Sequence, residues 1–495
     1  MALKLSELEQ HLWGAANILW GAVDSGTYKN YIFAILFYKR LNDVWQEEFE
    51  EKLAEYGDKE LAADADEHRF DLPTGYAWHD IRKHSSNIGE YLNGALQAIE
   101  DSNFKLRGIF QNVDFNNKEQ FSDELLEKLL QHFEKYDLRN SNVEADMLGN
   151  AYEYLIKQFA DDGGKRGGEF YTPKEVVRLM VECLEIQEGM SVYDPTCGSG
   201  GMLLEAYRAV ERSGKNPRSL SLFGQERNLN TWAICQMNLF LHDIDDSDVR
   251  RGDTLREPKH LVSEGSKAMR SFDRVIANPP FSLKEWGHDT WKNGDVYGRD
   301  IHGCPPASYG DLAFVQHMLA SLNENGKLAV VVPHGVLFRA GAEGKIRQAL
   351  IENDLVEGVI GVAPNLFYGA GIPAAILFLR KNKPEHMQGK VMIVNGAEQY
   401  EEGRAQNFLR DRHIKTLGEA YLAFEDAERL AAVVSTSDIA ANDYNLNITR
   451  YVNLGEAAEQ IDVALEAERL MELVVERDAA EERMNQHLRE LGYVE

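Results

Sequence analysis

Apolar positions recur with helical spacing through the first third of the chain. Leu8, Leu12, Ala15 and Leu19 fall at i, i+4, i+7 and i+11, behind the capping-box pair Ser6 and Glu9. Asp24-Ser-Gly-Thr breaks that helix, and the run from Tyr31 to Arg40, apolar nearly all round, predicts a second and buried one. The stretch from about Leu61 to Trp78 carries Asp, Gly and Pro and predicts a long loop. Ser122 is placed to cap a helix whose stripe is Leu126, Leu129, Leu130 and Phe133. Leu148, Tyr152, Leu155 and Phe159 predict one more. Residues 1–160 hold no catalytic constellation and read as a helical interaction domain.

The period changes after the Gly-rich stretch 161–168, which predicts a hinge. Short β-rich runs now alternate with helical ones: Ser191-Val-Tyr, Leu220-Ser-Leu-Phe, Val275-Ile-Ala, Lys327-Leu-Ala-Val-Val-Val, Val356-Glu-Gly-Val-Ile, Ala375-Ile-Leu-Phe-Leu and Val391-Met-Ile-Val. Strands separated by helices predict an α/β domain over 161–455, a mostly parallel Rossmann-like sheet with helices on both faces. From Glu456 onward the chain is rich in Ala, Glu, Arg and Leu, with neither Gly nor Pro until Gly492. Ile461, Leu465, Met471, Val475, Met484, Leu488 and Leu491 give it an apolar side. Residues 456–495 therefore predict a long amphipathic helix that needs a partner to pack against.

Composition narrows the class. The chain has 495 residues, 44% hydrophobic and 27% charged, as a soluble globular protein of two or three domains would. Its start lacks a secretory pattern, and no apolar run is long enough to span a membrane. The four cysteines, Cys183, Cys197, Cys235 and Cys304, are too scattered for a disulfide framework or a metal knuckle, which predicts a cytoplasmic protein. A net charge of −28 by itself favours an enzyme of small molecules. A protein that grips DNA with this charge needs locally concentrated basic residues or a partner that supplies the grip.

The candidate chemistry gathers at predicted strand ends. Asp194-Pro-Thr-Cys-Gly-Ser-Gly-Gly is a strand-to-helix turn in which Gly198, Gly200 and Gly201 allow close approach of a ligand, and Ser199 lies among them. The turn lacks the dinucleotide spelling G-x-G-x-x-G, and the triphosphate-binding Gly-Lys-Ser/Thr ending is absent too. Its leading Asp194 would repel a pyrophosphate and suits a positively charged sulfonium cofactor. Glu226, ending the next strand, can take both hydroxyls of a ribose, and Asp253 in Gly252-Asp-Thr can receive an adenine amino group. The segment Glu169, Phe170, Tyr171, Thr172, Pro173 and Lys174 can lie over such a cofactor, or Pro173 can simply start a helix. Asn278-Pro279-Pro280-Phe281 forms a rigid loop at another strand end. There the Asn278 amide oxygen and the Pro279 carbonyl can accept both hydrogens of an exocyclic amine while Phe281 faces a planar base.

Other patterns carry less. Asp243, Asp245 and Ser247 resemble the start of a calcium loop, but Asp248 and Thr254 stand where Gly and Glu are required, which predicts a solvated loop. The histidines show no ligand spacing, and no metal site is expected. Lys381, Lys383, Arg410 and Arg412 are isolated basic spots.

Taken in order along the chain, these elements resemble the modification (methyltransferase) subunit of a type I restriction-modification system. The resemblance begins at Leu12-Trp13 and Phe37-Tyr-Lys-Arg. It runs through Gly168-Glu-Phe-Tyr-Thr-Pro, the Asp194 turn and Asn278-Pro-Pro-Phe, and ends at Asp443-Tyr-Asn-Leu-Asn with Arg450-Tyr451. It implies an S-adenosylmethionine-dependent DNA adenine-N6 methyltransferase, with Glu169 to Lys174, Ser199 to Gly201, Glu226 and Asp253 on the cofactor and Asn278 to Phe281 on the base. It also implies partners: a specificity subunit that reads double-stranded DNA, two modification subunits flanking it, and a restriction subunit that can join. Methylation of a protein glutamine or an rRNA base, or a cofactor-binding scaffold that has lost catalysis, are the alternatives. An NAD-dependent dehydrogenase fails on the glycine spelling.

Overall fold

The computed structural model describes residues 4–23, 28–143, 154, 172–242, 244, 246–367, 373–403, 406–452 and 463–490. The chain divides into two compact units, Met1–Val452 and Asn453–Glu495.

The first unit opens with α1 (Leu5–Leu19), α2 (Tyr28–Tyr56), α3 (Ile88–Ser102) and α4 (Asp123–Glu134). Leu8, Leu12, Ala15 and Leu19 are buried as their spacing requires. The cap of α1 differs from expectation. Lys4 precedes the helix, and its N–H donates to the Glu7 carboxylate at 3.0 Å, so Ser6 lies inside the first turn. Residues 32–41 of α2 are all buried, including Lys39 and Arg40. Lys39 pairs with Asp43, and Arg40 donates to the Leu138 carbonyl and to Asn140, which is how two cations are accommodated there. Ser122 caps α4 as expected, accepting from the Leu125 N–H at 3.2 Å. The predicted loop from Leu61 to Trp78 is largely one, entered from a short helix Lys59–Ala62. The expected helix through Leu148, Tyr152, Leu155 and Phe159, and the hinge 161–168, lie outside the described residues.

A single sheet of nine strands follows: β1 (Ser191–Asp194), β2 (Ser221–Glu226), β3 (Ser247–Arg251), β4 (Phe272–Ala277), β5 (Leu322–Pro333), β6 (Val356–Gly361), β7 (Ala374–Arg380), β8 (Lys390–Asn395) and β9 (Ala431–Ser435). Their order is β3-β2-β1-β4-β5-β7-β6-β8-β9. β1 is parallel to β2 and β4, β2 to β3, β4 to β5, and β6 to β8; β7 is antiparallel to β5 and β6, and β9 to β8. Two strands go beyond the sequence reading. Ser247 begins edge strand β3 where a solvated loop was expected, because a polar edge strand needs to bury only Val249. Asp243 and Asp245 of that expected loop lie outside the described residues. β9 is the opposite edge.

The sheet is covered on both faces, and period 2 sorts its side chains. Ala329, Val331, Ile376 and Phe378 join the core under α5 (Lys174–Leu184) and α6 (Gly201–Arg212). Leu328, Val330, Leu377 and Leu379 join the core on the other face, with Leu312, Val315 and Met318 of a later helix. A further helix, α7 (Leu229–Leu241), serves two cores. Ala233, Ile234, Met237 and Leu241 pack with the N-terminal helices, while Cys235 and Leu239 pack under the sheet. No helix among the described residues is long and apolar enough to cross a membrane.

The second unit contains a helix at Val463–Glu490, with Leu470, Met471, Leu473, Val474 and Met484 exposed. Ile461 and Leu491 of the expected apolar side lie outside the described residues.

Candidate active site

The strand order reverses between β1 and β4, since β2 continues from β1 on one side and β5 from β4 on the other. Ligands of open α/β sheets bind outside the carboxyl ends of strands at such a reversal. Asp194 ends β1 and Asn278 directly follows β4, so the topology brings the two leading sequence candidates together.

The turn after β1 is fixed by backbone geometry. Gly198 (φ 54°) and Gly200 (φ 84°) are both left-handed. A Cβ on Gly200 would lie 2.9 Å from the Cys235 sulfur, so its glycine is required by conformation and by space. The Cys197 N–H donates to the Gln225 carbonyl at 3.1 Å, and the buried Asn238 side chain donates to the Ser199 carbonyl at 2.9 Å. Asp194 accepts from the Thr196 N–H at 3.0 Å. Burial pushes its carboxyl up to about 8, and the nearby Glu226 carboxylate adds to that while the Thr196 N–H opposes it.

A cleft opens between this turn, the start of α5 and the loop after β4. Of the predicted residues, Asp194, Gly198, Ser199, Gly201, Thr172, Lys174 and Asn278 line it. Sequence reasoning missed Thr196, Cys197 and Val177, and also Met202, Glu205 and Arg208 on α6. The last three were findable, because they sit three apart on the helix that the Gly-rich turn starts. Gly200 lies behind the turn against Cys235, and Pro173 caps α5 without lining the cleft. Glu226 also lies outside the lining, and its carboxylate accepts from the Gly198 N–H (3.1 Å) and the Asn228 N–H (2.7 Å). Asp253 accepts from the N–H groups of Leu255 and Arg256, both at 3.1 Å, and faces the Arg227 guanidinium at 3.5 Å. Glu169, Phe170 and Tyr171 lie outside the described residues.

In the loop after β4, the Asn278 amide donates to the Thr172 hydroxyl at 2.8 Å. Its Oδ1 is buried and has no hydrogen-bond partner among the described residues, and the Thr196 hydroxyl shares that state. Buried polar atoms are normally satisfied, and these two belong to residues that line the cleft, where a bound group can satisfy them. Phe281, half-buried, meets Phe367 edge-on at 6.1 Å between ring centres, an aromatic the sequence reading passed over. The segment beyond is anchored by Arg299, buried, which donates to the Thr254 (2.9 Å) and Leu255 (2.7 Å) carbonyls and pairs with Asp295 at 2.7 Å.

Fold and cleft together define the class: a Rossmann-like methyltransferase sheet, with a glycine-rich turn after β1 and an Asn-Pro-Pro-Phe loop after β4. The chain belongs to the N-6 DNA methylase family, whose model matches residues 143–460, and the HsdM N-terminal domain matches residues 8–133. It is similar to the type I restriction enzyme MjaVII methylase subunit of Methanocaldococcus jannaschii, 35% identical over 467 residues, covering 89% of this chain and 78% of that protein. The HindI methylase subunit of Haemophilus influenzae is 30% identical over 412 residues, covering 78% and 87%. Among solved structures, the type I restriction-modification methyltransferase subunit from Streptococcus thermophilus superposes with a TM-score of 0.80 at 31% identity, covering 91% of this chain and all of that one. The activity that goes with this membership is DNA adenine methylation at N6, in the type I modification-subunit branch.

Proposed function

We propose that the chain binds S-adenosylmethionine in the Asp194 cleft and methylates an adenine flipped out of duplex DNA, with a separate specificity subunit choosing the sequence. The observation that carries this reading is the unpartnered Asn278 Oδ1 beside the cleft. The fit of the cofactor rests on chain chemistry. A buried carboxyl held protonated by desolvation can ionise against a cationic ammonium or sulfonium, and Thr196 offers a hydroxyl that no other group uses among the described residues. Lys174 and Arg208 supply positive charge at the same cleft for a carboxylate. Glu226 and Asp253 act behind and beside this lining, to which Thr172 contributes its side chain.

Bound there, S-adenosylmethionine would supply an electrophilic methyl group, its sulfur–methyl bond breaking as the N6–methyl bond forms and one N6 proton passing to solvent. Asn278 accepts one N6 hydrogen through Oδ1, and the Pro279 carbonyl accepts the other. Both draw the amine away from planarity and free its lone pair for attack. Pro279 and Pro280 hold the two acceptors rigid, and Phe281 offers its face to the extruded ring, because N6 cannot be reached inside the stack. Orientation of two reactants supplies roughly 7–11 kcal/mol of such a barrier, and no side chain with a raised pKa is needed as base.

The charge of −28 and the exposed apolar side chains of the helix Val463–Glu490 support a division of labour. Residues 1–160 and 456–495 serve docking and 161–455 catalysis. Two such chains flank one specificity subunit in the cytoplasm, where a restriction subunit can join. The test is methylation of duplex DNA with labelled cofactor. The chain alone should bind cofactor and transfer negligibly, and adding the specificity subunit should restore transfer to adenine N6. Robust site-specific methylation by the isolated chain would refute the partner requirement.

A further inference from the structure

The loop that carries the base-accepting residues does not stand by itself. Ser282, directly after Phe281, has φ 52°, a left-handed conformation that L side chains rarely adopt. Its N–H donates to Oδ1 of Asp311 at 2.8 Å, and the Leu283 carbonyl accepts from the Gly310 N–H at 3.0 Å. Gly310 has no room for a side chain, since a Cβ would lie 2.9 Å from Trp286. Gly310 and Asp311 precede and open the helix Asp311–Ala320, so the turn is clamped to a rigid element of the fold by two hydrogen bonds.

Asp311 is itself held from a third direction. It is 2% exposed, and its Oδ2, which makes no hydrogen bond among the described residues, faces Arg339 Nη1 as an ion pair at 3.5 Å. Arg339 follows β5, lies 3.4 Å from the Glu343 carboxylate and stacks over the Tyr309 ring at 4.2 Å. Gly335 gives the guanidinium its seat, because a Cβ there would fall 2.4 Å from Arg339 Nε. Asp311 thus ties together the segments that leave the ends of β4 and β5.

We propose that Asp311 is a positioning residue for base capture: by holding the left-handed turn at Ser282 it fixes Phe281 and Asn278 in the geometry that receives the target adenine. This rests on the proposed reading of Asn278 and Phe281 as the base site. Asp311 does not line the cofactor cleft, so its effect should separate from cofactor binding.

The experiment uses the chain assembled with its specificity subunit, on duplex DNA carrying 2-aminopurine at the target position, whose fluorescence rises on flipping. Asp311→Ala should lower methyl transfer at least about tenfold and reduce the flipping signal, because small misplacements of positioned reactants are costly. S-adenosylmethionine affinity, measured on the chain alone, should stay within about twofold, on the scale of a site left untouched. Asp311→Asn keeps an oxygen for the Ser282 N–H and should recover most of the rate. Adding Ser282→Gly to Asp311→Ala should recover part of it, since glycine takes the left-handed turn freely. Wild-type transfer by Asp311→Ala would overturn the inference. So would equal losses in the Ala and Asn variants with no rescue by Ser282→Gly, or loss of fold in both variants. A wild-type complex that methylates nothing would instead remove the reading on which the inference rests.

Discussion

The turn after β1 and the loop after β4 leave the same edge of one sheet, yet they are built by opposite rules. The first is made of glycines in left-handed conformations, and its polar groups are largely tied: Gly198 to Glu226, Cys197 to Gln225 and Ser199 to Asn238. The second is made of prolines and leaves Asn278 Oδ1 buried without a partner among the described residues. Backbone ties preform the glycine turn as a receptor with the Thr196 hydroxyl left unpartnered among the described residues, whereas the buried Asn278 acceptor raises the free energy of the empty state until a donor arrives. The difference fits a cofactor that binds the chain alone and a base that must be delivered by DNA.

The largest effect expected from breaking the contrast is at Asn278. On the proposed mechanism Asn278→Ala removes an acceptor used in the transition state, and by analogy with other such groups the rate should fall about 100- to 1,000-fold, near 3–4 kcal/mol. Cofactor affinity on the isolated chain should change little, because the turn after β1 is tied independently. Labelled-cofactor transfer and calorimetry together read this out. Equal losses in both measurements would show that the two loops are one site energetically.

Glu226→Ala tests the other loop. It leaves the Gly198 and Asn228 N–H groups without their carboxylate, and it should weaken cofactor binding by about 1.5–3 kcal/mol, the worth of hydrogen bonds to a charged group. The maximal rate at saturating cofactor should be nearly unchanged. Calorimetric affinity and a cofactor titration of the rate check it, and a fall in maximal rate without a change in affinity would reverse the assignment. Phe281→Ala should cost less than Asn278→Ala, about 1–3 kcal/mol in DNA-dependent transfer, by analogy with aromatic stacking on bases. Its measure is the concentration of DNA needed for half-maximal rate.

Much of this contrast was readable in the sequence. Two prolines after Ala277 cannot continue a strand, and Gly198, Gly200 and Gly201 cannot be accidental between Tyr193 and Met202. Central strands such as β5 announce themselves because both faces are buried. β3 did not, since an edge strand spelled Ser-Asp-Val-Arg-Arg needs only one buried side chain. The Ser6 cap failed because Glu7 could satisfy the helix start from Lys4, and two overlapping capping patterns cannot be ranked by spacing alone. Phe367 and Val177 reach the site from separate elements, and only the folded arrangement shows that they converge there. The engagement of Glu226 with Gly198 was equally invisible, because it pairs the ends of two strands.

The sharpest test is the protonation of Asp194. Burial holds its folded-state value at about 8, well above the roughly 3.9 of an exposed aspartate. Between those two values the folded chain binds a proton that the unfolded chain does not. This group therefore makes stability fall as pH rises from about 4 to about 8, with a slope near 1.4 kcal/mol per pH unit, and the penalty is complete above that window. Asp194→Asn should remove that slope, so its melting temperature in the absence of cofactor should gain on the wild type as pH rises from 5 to 8 (roughly the span between the two values). If the cofactor's positive charge is met by the ionised carboxylate, binding near pH 6.5 (roughly, a value inside that window and below the folded-state one) must release the proton. Calorimetry in two buffers of different ionisation heat counts it directly. A release approaching one proton for the wild type, absent in Asp194→Asn, is expected. Binding with no proton release would mean that Asp194 stays neutral in the complex, as a donor rather than a counter-charge.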